Sequence, residues 1–288
     1  MIIAFSTGSL TGVPLPTIFK LGRRAGADGV ELMLTSRIAS RSPSHIRELE
    51  QRYDLPVRSV HTIMRLQDAS PEQLASDILQ SAHFARSLLQ CTVLVVHPPP
   101  VQSLHSAAAN TWLAAIESAL DLTEDLSLQV TVENVGRLSN DDPATFFDHP
   151  DRLLRLAQEW RLGITYDTSH AASREWEIVD TGARFLPHLS NIHLSDYNRR
   201  SYRPGLANAF LRDHQIPGEG VLPLDDLLNR MATGGYDGLV TLELSPFALH
   251  LPWLPSAANR LRHSIGTCRA AVASGLPAPQ RSRHPNHP

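Results

Sequence analysis

Short apolar runs rich in β-branched residues alternate with longer amphipathic segments from one end of the chain to the other. Eight runs read as strands: IIAFS (2–6), GVELML (29–34), VRSVH (57–61), TVLVVH (92–97), LQVTVE (128–133), LGITYD (162–167), LSNIHL (189–194) and LVTLEL (239–244). Continuous apolar runs of this length are expected when both faces of a strand are buried, as in a parallel sheet. Between them the pattern predicts helices over residues 14–25, 105–124, 150–160, 222–232 and 255–273. Two further helices announce their starts. Ser42 is expected to cap one, with Pro43 in its first position, and Ser70 followed by Pro71 repeats that signal.

Eight strands alternating with about eight helices predict either a closed barrel or a doubly wound sheet. The segment after the first run, FSTGSLTG, lacks the glycine spacing of a dinucleotide-binding turn. The reading is therefore a single-domain α/β protein, a (β/α)8 TIM barrel over residues 1–274. Residues 275–288 (GLPAPQRSRHPNHP) read as a solvated, disordered, Pro-rich tail, in which His284 and His287 are expected to be inert. The connection 196–217 (DYNRRSYRPGLANAFLRDHQIP) breaks the rhythm, and a connection of that length in a compact domain is expected to be functional.

The residues that close the strands carry the chemistry. The third run ends in His61, the fourth in His97, the fifth in Glu133 and the sixth in Asp167; His193 and Glu243 stand near the ends of the seventh and eighth. In a parallel barrel these ends meet on one rim. Packing alone would place Val, Leu or Ile there, and three carboxylates facing one cavity repel unless a cation lies among them. No Lys or Arg occupies a neighbouring strand end to serve as that partner. Glu133, Asp167, His193 and Glu243 are thus the expected metal ligands, with His61 and His97 as further candidates. His170, three residues past Asp167, is expected to fold back to the rim for metal or substrate contact. His214, before the PGEG turn, is a weaker candidate of the same kind.

Composition narrows the partners. The chain has 288 residues, is 42% hydrophobic and carries a formal net charge of −3, which neither suggests disorder nor advertises a polyanion partner. Cys91 and Cys268 are the only cysteines and read as buried thiols, so no disulfide framework is implied and a cytoplasmic setting is expected. No apolar run approaches membrane-spanning length, so no membrane partner is expected.

Taken together, the segments AGADGVEL, SVHTI, VVHPPP, VTVENVGR, ITYDTSHAA, IHLSD, HQIPGEG and GYDGLVTLELSP resemble the xylose-isomerase-like TIM barrels, a superfamily of sugar-phosphate isomerases, ketose epimerases and endonuclease IV-like nucleases. The resemblance spans nearly the whole chain but does not select a reaction, since one fold hosts several chemistries. On the isomerase and epimerase branch it implies Glu133, Asp167, His193 and Glu243 as ligands and His170 on the substrate. Glu133 and Glu243 would then be the catalytic pair, one removing and the other returning a proton next to a carbonyl. Arg199, Arg200 and Arg203 are candidates to clamp a substrate phosphate or carboxylate. On the nuclease branch it implies three metals: one on His61, His97 and Glu133, one on Glu133, Asp167, His193 and Glu243, and one using His170 and His214. The last carboxylate of that third set would fall two residues before His214, where this chain has Arg212, with Asp213 one place on.

The expectation is a divalent-metal-dependent sugar or sugar-phosphate isomerase or epimerase, with a phosphoester hydrolase as the alternative and a non-catalytic ligand-binding barrel third. The metal is expected to be zinc or manganese, with magnesium or cobalt next. The partner is a small sugar or phosphorylated molecule. The loop TSRIASR, short and with Arg37 and Arg41 only, disfavours nucleic acid.

Overall fold

The computed structural model describes residues 1–65, 69–139 and 141–275. All eight predicted strands form: β1 (Ile2–Ser6), β2 (Gly29–Met33), β3 (Val57–His61), β4 (Val93–Val96), β5 (Gln129–Glu133), β6 (Gly163–Asp167), β7 (Leu189–Leu194) and β8 (Leu239–Leu242). They close in sequence order into a parallel barrel, with β1 pairing both β2 and β8. Helices follow the strands, so this is a (β/α)8 barrel.

The two-residue period of each strand sorts its side chains. One set, including Phe5, Val30, Leu32, Val60, Leu94, Val132, Ile164, Tyr166, Ile192 and Val240, joins the large apolar core shared with the helices. The other set fills the barrel interior. Val93, Val95 and Leu239 form a separate small cluster there with Ile2 packed on it. Around and above it the interior turns polar: Glu31, Ser59, Thr131, Thr165, Asn191 and Thr241 are all fully buried. They bond one another, as where Thr131 Oγ1 meets Thr165 Oγ1 at 2.7 Å and Thr241 Oγ1 donates to Asn191 Oδ1 at 2.9 Å, although Glu31 Oε1 has no hydrogen-bond partner among the described residues. Two residues beyond these positions, on the same inner face, stand His61, Glu133, Asp167, His193 and Glu243. Both faces are buried as expected of a parallel barrel, but the inner face is not apolar throughout.

Local sequence explains the helix ends. The helix Pro71–Ala85 opens with a reciprocal capping box between Ser70 and Gln73. Ser106 caps Ala107–Thr123, two residues inside the expected start at His105. The helix expected from Ser42 begins instead at Ser44, with Pro43 in the cap position; the Ser42 hydroxyl receives the Ser44 N–H at 3.3 Å and meets the Ser44 hydroxyl at 2.9 Å. On the first helix, Leu15–Ala25, a side chain at Gly22 would stand 2.6 Å from Phe5 Cζ, so glycine lets that helix lie against β1.

Helices at Thr168–Ser173 and Ile178–Phe185 were not anticipated. The long connection after β7 is also not structureless. Asp196 and Gln215 form an antiparallel bridge across its base, and Gly205–Ala207 and Asn208–Leu211 are short helical turns. Gly275, expected to open the tail, is the last residue of the helix Leu254–Gly275, while 276–288, with His284 and His287, lie outside the described residues. Among the described residues no helix is long and apolar enough to cross a membrane. Both thiols are buried and unpaired, and burial pushes each up to about 12.

Candidate metal centre

The strand ends converge. Ligand-capable atoms of Glu133, Asp167, His193 and Glu243 lie within 4.8 Å of one another, as do those of His61, His97 and Glu133, and those of Asp167, His170 and His214. Glu133 belongs to the first two groups and Asp167 to the first and third, so the three form one continuous cluster.

Glu133 is its hub. Its Oε2 lies 2.9 Å from His97 Nε2 and 3.3 Å from His61 Nε2, while its Oε1 lies 3.0 Å from His193 Nδ1 and 3.5 Å from His170 Nδ1. One carboxylate therefore faces a different group with each oxygen. Glu243 Oε2 approaches the same His193 Nδ1 at 2.7 Å, as an ion-pair contact without hydrogen-bond alignment.

Backbone and neighbouring groups set the imidazole orientations. His61 Nδ1 sits 2.9 Å from the Thr62 carbonyl, and His170 Nδ1 sits 2.9 Å from the Asn134 carbonyl. A carbonyl only accepts, so each Nδ1 carries a proton, and once the ring is neutral, as ligation of a cation requires, Nε2 offers the lone pair. His214 Nδ1 is 3.3 Å from both Ser169 Oγ and Ser195 Oγ. Asp167 caps the helix Thr168–Ser173 through Oδ1, which takes the His170 N–H at 2.7 Å, and its buried Oδ2 has no hydrogen-bond partner among the described residues.

The electrostatics describe a cluster that lacks positive charge. Burial pushes the Asp167 carboxyl up, helped by the Glu133 and Glu243 carboxylates and opposed by His170 and His214. For Glu133, burial acts upward too, but the facing imidazoles of His193 and His97 outweigh it and hold the group well below the usual carboxylate range. Glu243 meets the same contest and is held down to about 2, chiefly by His193. Burial works against charge on His61, yet the Glu133 carboxylate raises it to about 9. His170 is raised against the same penalty to about 10 by Asp167 and Glu133, and His193 is raised well above its ordinary value by Glu31, Glu133 and Glu243. Without an ion the histidines must supply the cationic charge themselves. Buried carboxylate oxygens with no donor, on Asp167 and Glu243, beside imidazole lone pairs are the donor set a divalent cation requires. The residues present fit such an ion.

Asp213 does not join the third group. Its Oδ1 and Oδ2 accept from Arg212 Nε and Nη2 at 2.8 and 3.2 Å, and both side chains are buried. Asp213 therefore does not replace the carboxylate missing at Arg212, and Asp167, His170 and His214 stand as three donors. Of the loop arginines, Arg199 lines a cleft with Ser173, Glu175, Trp176 and Tyr197, next to the helix that carries His170. Arg200 and Arg203 are exposed on the same connection and line no part of that cleft.

Three buried residues were not singled out from the sequence. Glu31 Oε2 lies 2.9 Å from His193 Nε2. Asn134 bonds both backbone groups of Asp167, donating to its carbonyl at 2.9 Å and accepting its N–H at 2.8 Å. Asp196 accepts the N–H groups of Gly218, Gly220 and Leu222, each at 3.0 Å, and so holds the turn after His214. A visible signal existed for two of them, since Glu31 is the one charged residue in GVELML and Asn134 directly follows Glu133.

A closed eight-stranded barrel with acidic and imidazole donors gathered at the C-terminal ends of its strands defines a class of cation-competent TIM barrels. Residues 19–266 match the family model described as xylose isomerase-like TIM barrel, and the chain belongs to that family. An uncharacterized protein of Mycobacterium tuberculosis is 28% identical over 269 residues, covering 84% of this chain and 88% of its own. Among solved structures, a D-tagatose 3-epimerase-like protein superposes with a TM-score of 0.70 at 18% identity, covering 95% of this chain and 99% of its own. An AP endonuclease, family 2, from Brucella melitensis gives a TM-score of 0.66 at 18% identity, covering 85% of this chain and 94% of its own. At such identities these two structures show the shared fold alone.

Proposed function

We propose that the chain is a divalent-cation-dependent isomerase or epimerase of sugars or sugar phosphates. The observation that carries this reading is the approach of Glu133 from β5 and Glu243 from beyond β8 to one nitrogen, His193 Nδ1, at 3.0 and 2.7 Å. Two carboxylates from well-separated arcs of the barrel thereby flank one point at its mouth. Glu133, Asp167, His193 and Glu243 would hold the ion, zinc or manganese by donor type and magnesium or cobalt next. When bound it supplies Lewis-acid polarisation of the substrate's carbonyl oxygen.

The remaining work falls to the chain itself. One of Glu133 and Glu243 removes a proton from the carbon beside the carbonyl, and the other, carrying a proton taken up from solvent, delivers that one to the opposite face or the adjacent carbon. His170, held by the Asn134 carbonyl, presents Nε2 to a substrate oxygen. Arg199, which with Arg212 lines the cleft beside the helix that carries His170, is assigned to a substrate phosphate or carboxylate; Arg200 and Arg203 would reach it only from the exposed loop. The structural likeness to a protein named as D-tagatose 3-epimerase-like supports a small sugar as substrate. Two buried, unpaired thiols suit a reducing compartment such as the cytoplasm.

Incubation of the cation-loaded protein with a panel of ketoses and ketose phosphates in D2O tests this. Deuterium is expected at the carbon next to the carbonyl of at least one substrate, and Glu243→Gln should reduce its entry by about 10²-fold or more. No exchange across the panel by cation-loaded protein overturns the reading.

A second reading, a phosphoester hydrolase, is favoured by one observation: His61 and His97 direct Nε2 atoms at Glu133 Oε2, a second donor group sharing that carboxylate. Two ions on one bridging carboxylate would be the arrangement of two-metal phosphoryl chemistry. A family 2 AP endonuclease among the structural neighbours is in keeping with it. Against it stands the third group, whose nearby Asp213 is taken by Arg212.

A further inference from the structure

We infer that Glu31, which no strand-end pattern includes, is a positioning residue for the cation centre: it holds the Nε2 proton of His193 and so commits Nδ1 to the ion. This rests on the reading of the strand ends as a cation site.

The imidazole of His193 is fully buried and has carboxylates on both sides. Nδ1 faces Glu133 and Glu243 within the donor group, whereas Nε2 faces Glu31 Oε2 at 2.9 Å on the side toward the barrel interior. A ligating imidazole has one nitrogen for the ion and one N–H to give away. A carboxylate behind that N–H fixes the tautomer and the ring plane and makes the other nitrogen a better donor.

Glu31 is itself held in place. Its Oε2 also accepts Ser59 Oγ at 2.9 Å and Asn191 Nδ2 at 3.4 Å. Asn191 is turned to present its amide N–H because Thr241 Oγ1 occupies its Oδ1 at 2.9 Å. Side chains from β3, β7 and β8 thus aim one carboxylate oxygen of β2 at one imidazole nitrogen. Packing does not explain a carboxylate here. Val95, two residues below His97 on β4, fills the interior with a plain apolar side chain, and a buried carboxylate is costly unless it is paired. The sole ion-pair partner of Glu31 among the described residues is His193.

The test uses the full chain with zinc as the probe. Zinc dissociation constants are measured by competition with a chromophoric chelator for the wild type, Glu31→Ala and Glu31→Gln. The ring N–H of His193 is followed by ¹⁵N-resolved proton NMR on the zinc-loaded proteins. Glu31→Ala should weaken zinc by about 10–100-fold and abolish the downfield, exchange-protected Nε2–H signal. Glu31→Gln, whose amide oxygen still accepts, should retain that signal and lose less affinity. Wild-type affinity in Glu31→Ala, or an unchanged signal there, overturns the inference while leaving the cation site standing. Should Glu31→Ala fail to fold, Glu31→Gln decides: a shifted signal with weakened binding supports the role, and identity with wild type in both overturns it. Absence of stoichiometric zinc from the wild type is a different failure, which removes the cation-site reading and this inference together.

Discussion

Three residues of the centre are held by a neighbouring backbone group: the Thr62 carbonyl for His61, the Asn134 carbonyl for His170, the helix N-terminus for Asp167. The charges that result have a pH signature in the cation-free protein. His61, near 9, and His170, near 10, stay protonated in the fold where the unfolded chain, with an ordinary value of 6.5, does not. Their contribution to stability is complete below pH 6.5 and is lost as pH rises through 9 and 10. Glu243 acts in the opposite sense: its contribution is complete above its ordinary value of 4.5 and is lost as pH falls toward 2. With chelator present, Tm should therefore fall between pH 6.5 and 9. Saturating divalent cation should abolish or reverse that fall, because ligation needs the unprotonated nitrogen. An alkaline slope indifferent to the cation would show that these imidazoles are not ligands.

The strand-end residues are legible from sequence because a strand presents every second residue to one face, so the last inward position of each run can be counted off. Glu31 is not legible in this way. Its partners Asn191 and His193 lie 160 and 162 residues away, and nothing local marks the pairing.

At the level of elements, the barrel ends are tied by particular side chains as well as by the ladders. Asn134 extends the β5–β6 pairing past the last ladder position by taking both backbone groups of Asp167. Asn134→Ala should cost about 1–3 kcal/mol, the usual penalty for orphaning buried polar groups, and should weaken cation binding because Asp167 loses its tether. Ser70→Ala, at the capping box of Pro71–Ala85, should cost about 1 kcal/mol and leave cation affinity unchanged. Urea unfolding with a parallel cation titration separates the two; equal effects on binding would contradict this account of Asn134.

Strands and long helices were readable because apolar period and start signals agree within them. Ile178–Phe185 escaped because it is short and is followed at once by the Leu186–His188 turn, so its period has little length in which to declare itself.

Over the whole molecule, the parallel barrel gives one geometric result: residues dispersed from His61 to Glu243 are delivered to one rim. The same closure brings Glu31 beneath His193 and leaves Arg212 paired with Asp213 beside the third donor group. The outer apolar layer and the family were legible in the sequence pattern. The two-residue period that marks the strand ends also puts Ser59, Thr131, Thr165, Asn191 and Thr241 on the inner face, but which of them bond one another across the barrel depends on register, which the period does not give.

Elemental analysis of the protein purified without chelator, beside Glu133→Ala prepared identically, is the most direct measurement of convergence on a cation. At least one divalent ion per wild-type chain is expected, about one for the isomerase reading and two or more for the hydrolase, with loss of that ion in Glu133→Ala. A wild type that takes up no stoichiometric ion, or a Glu133→Ala protein that keeps its full complement, would contradict that convergence.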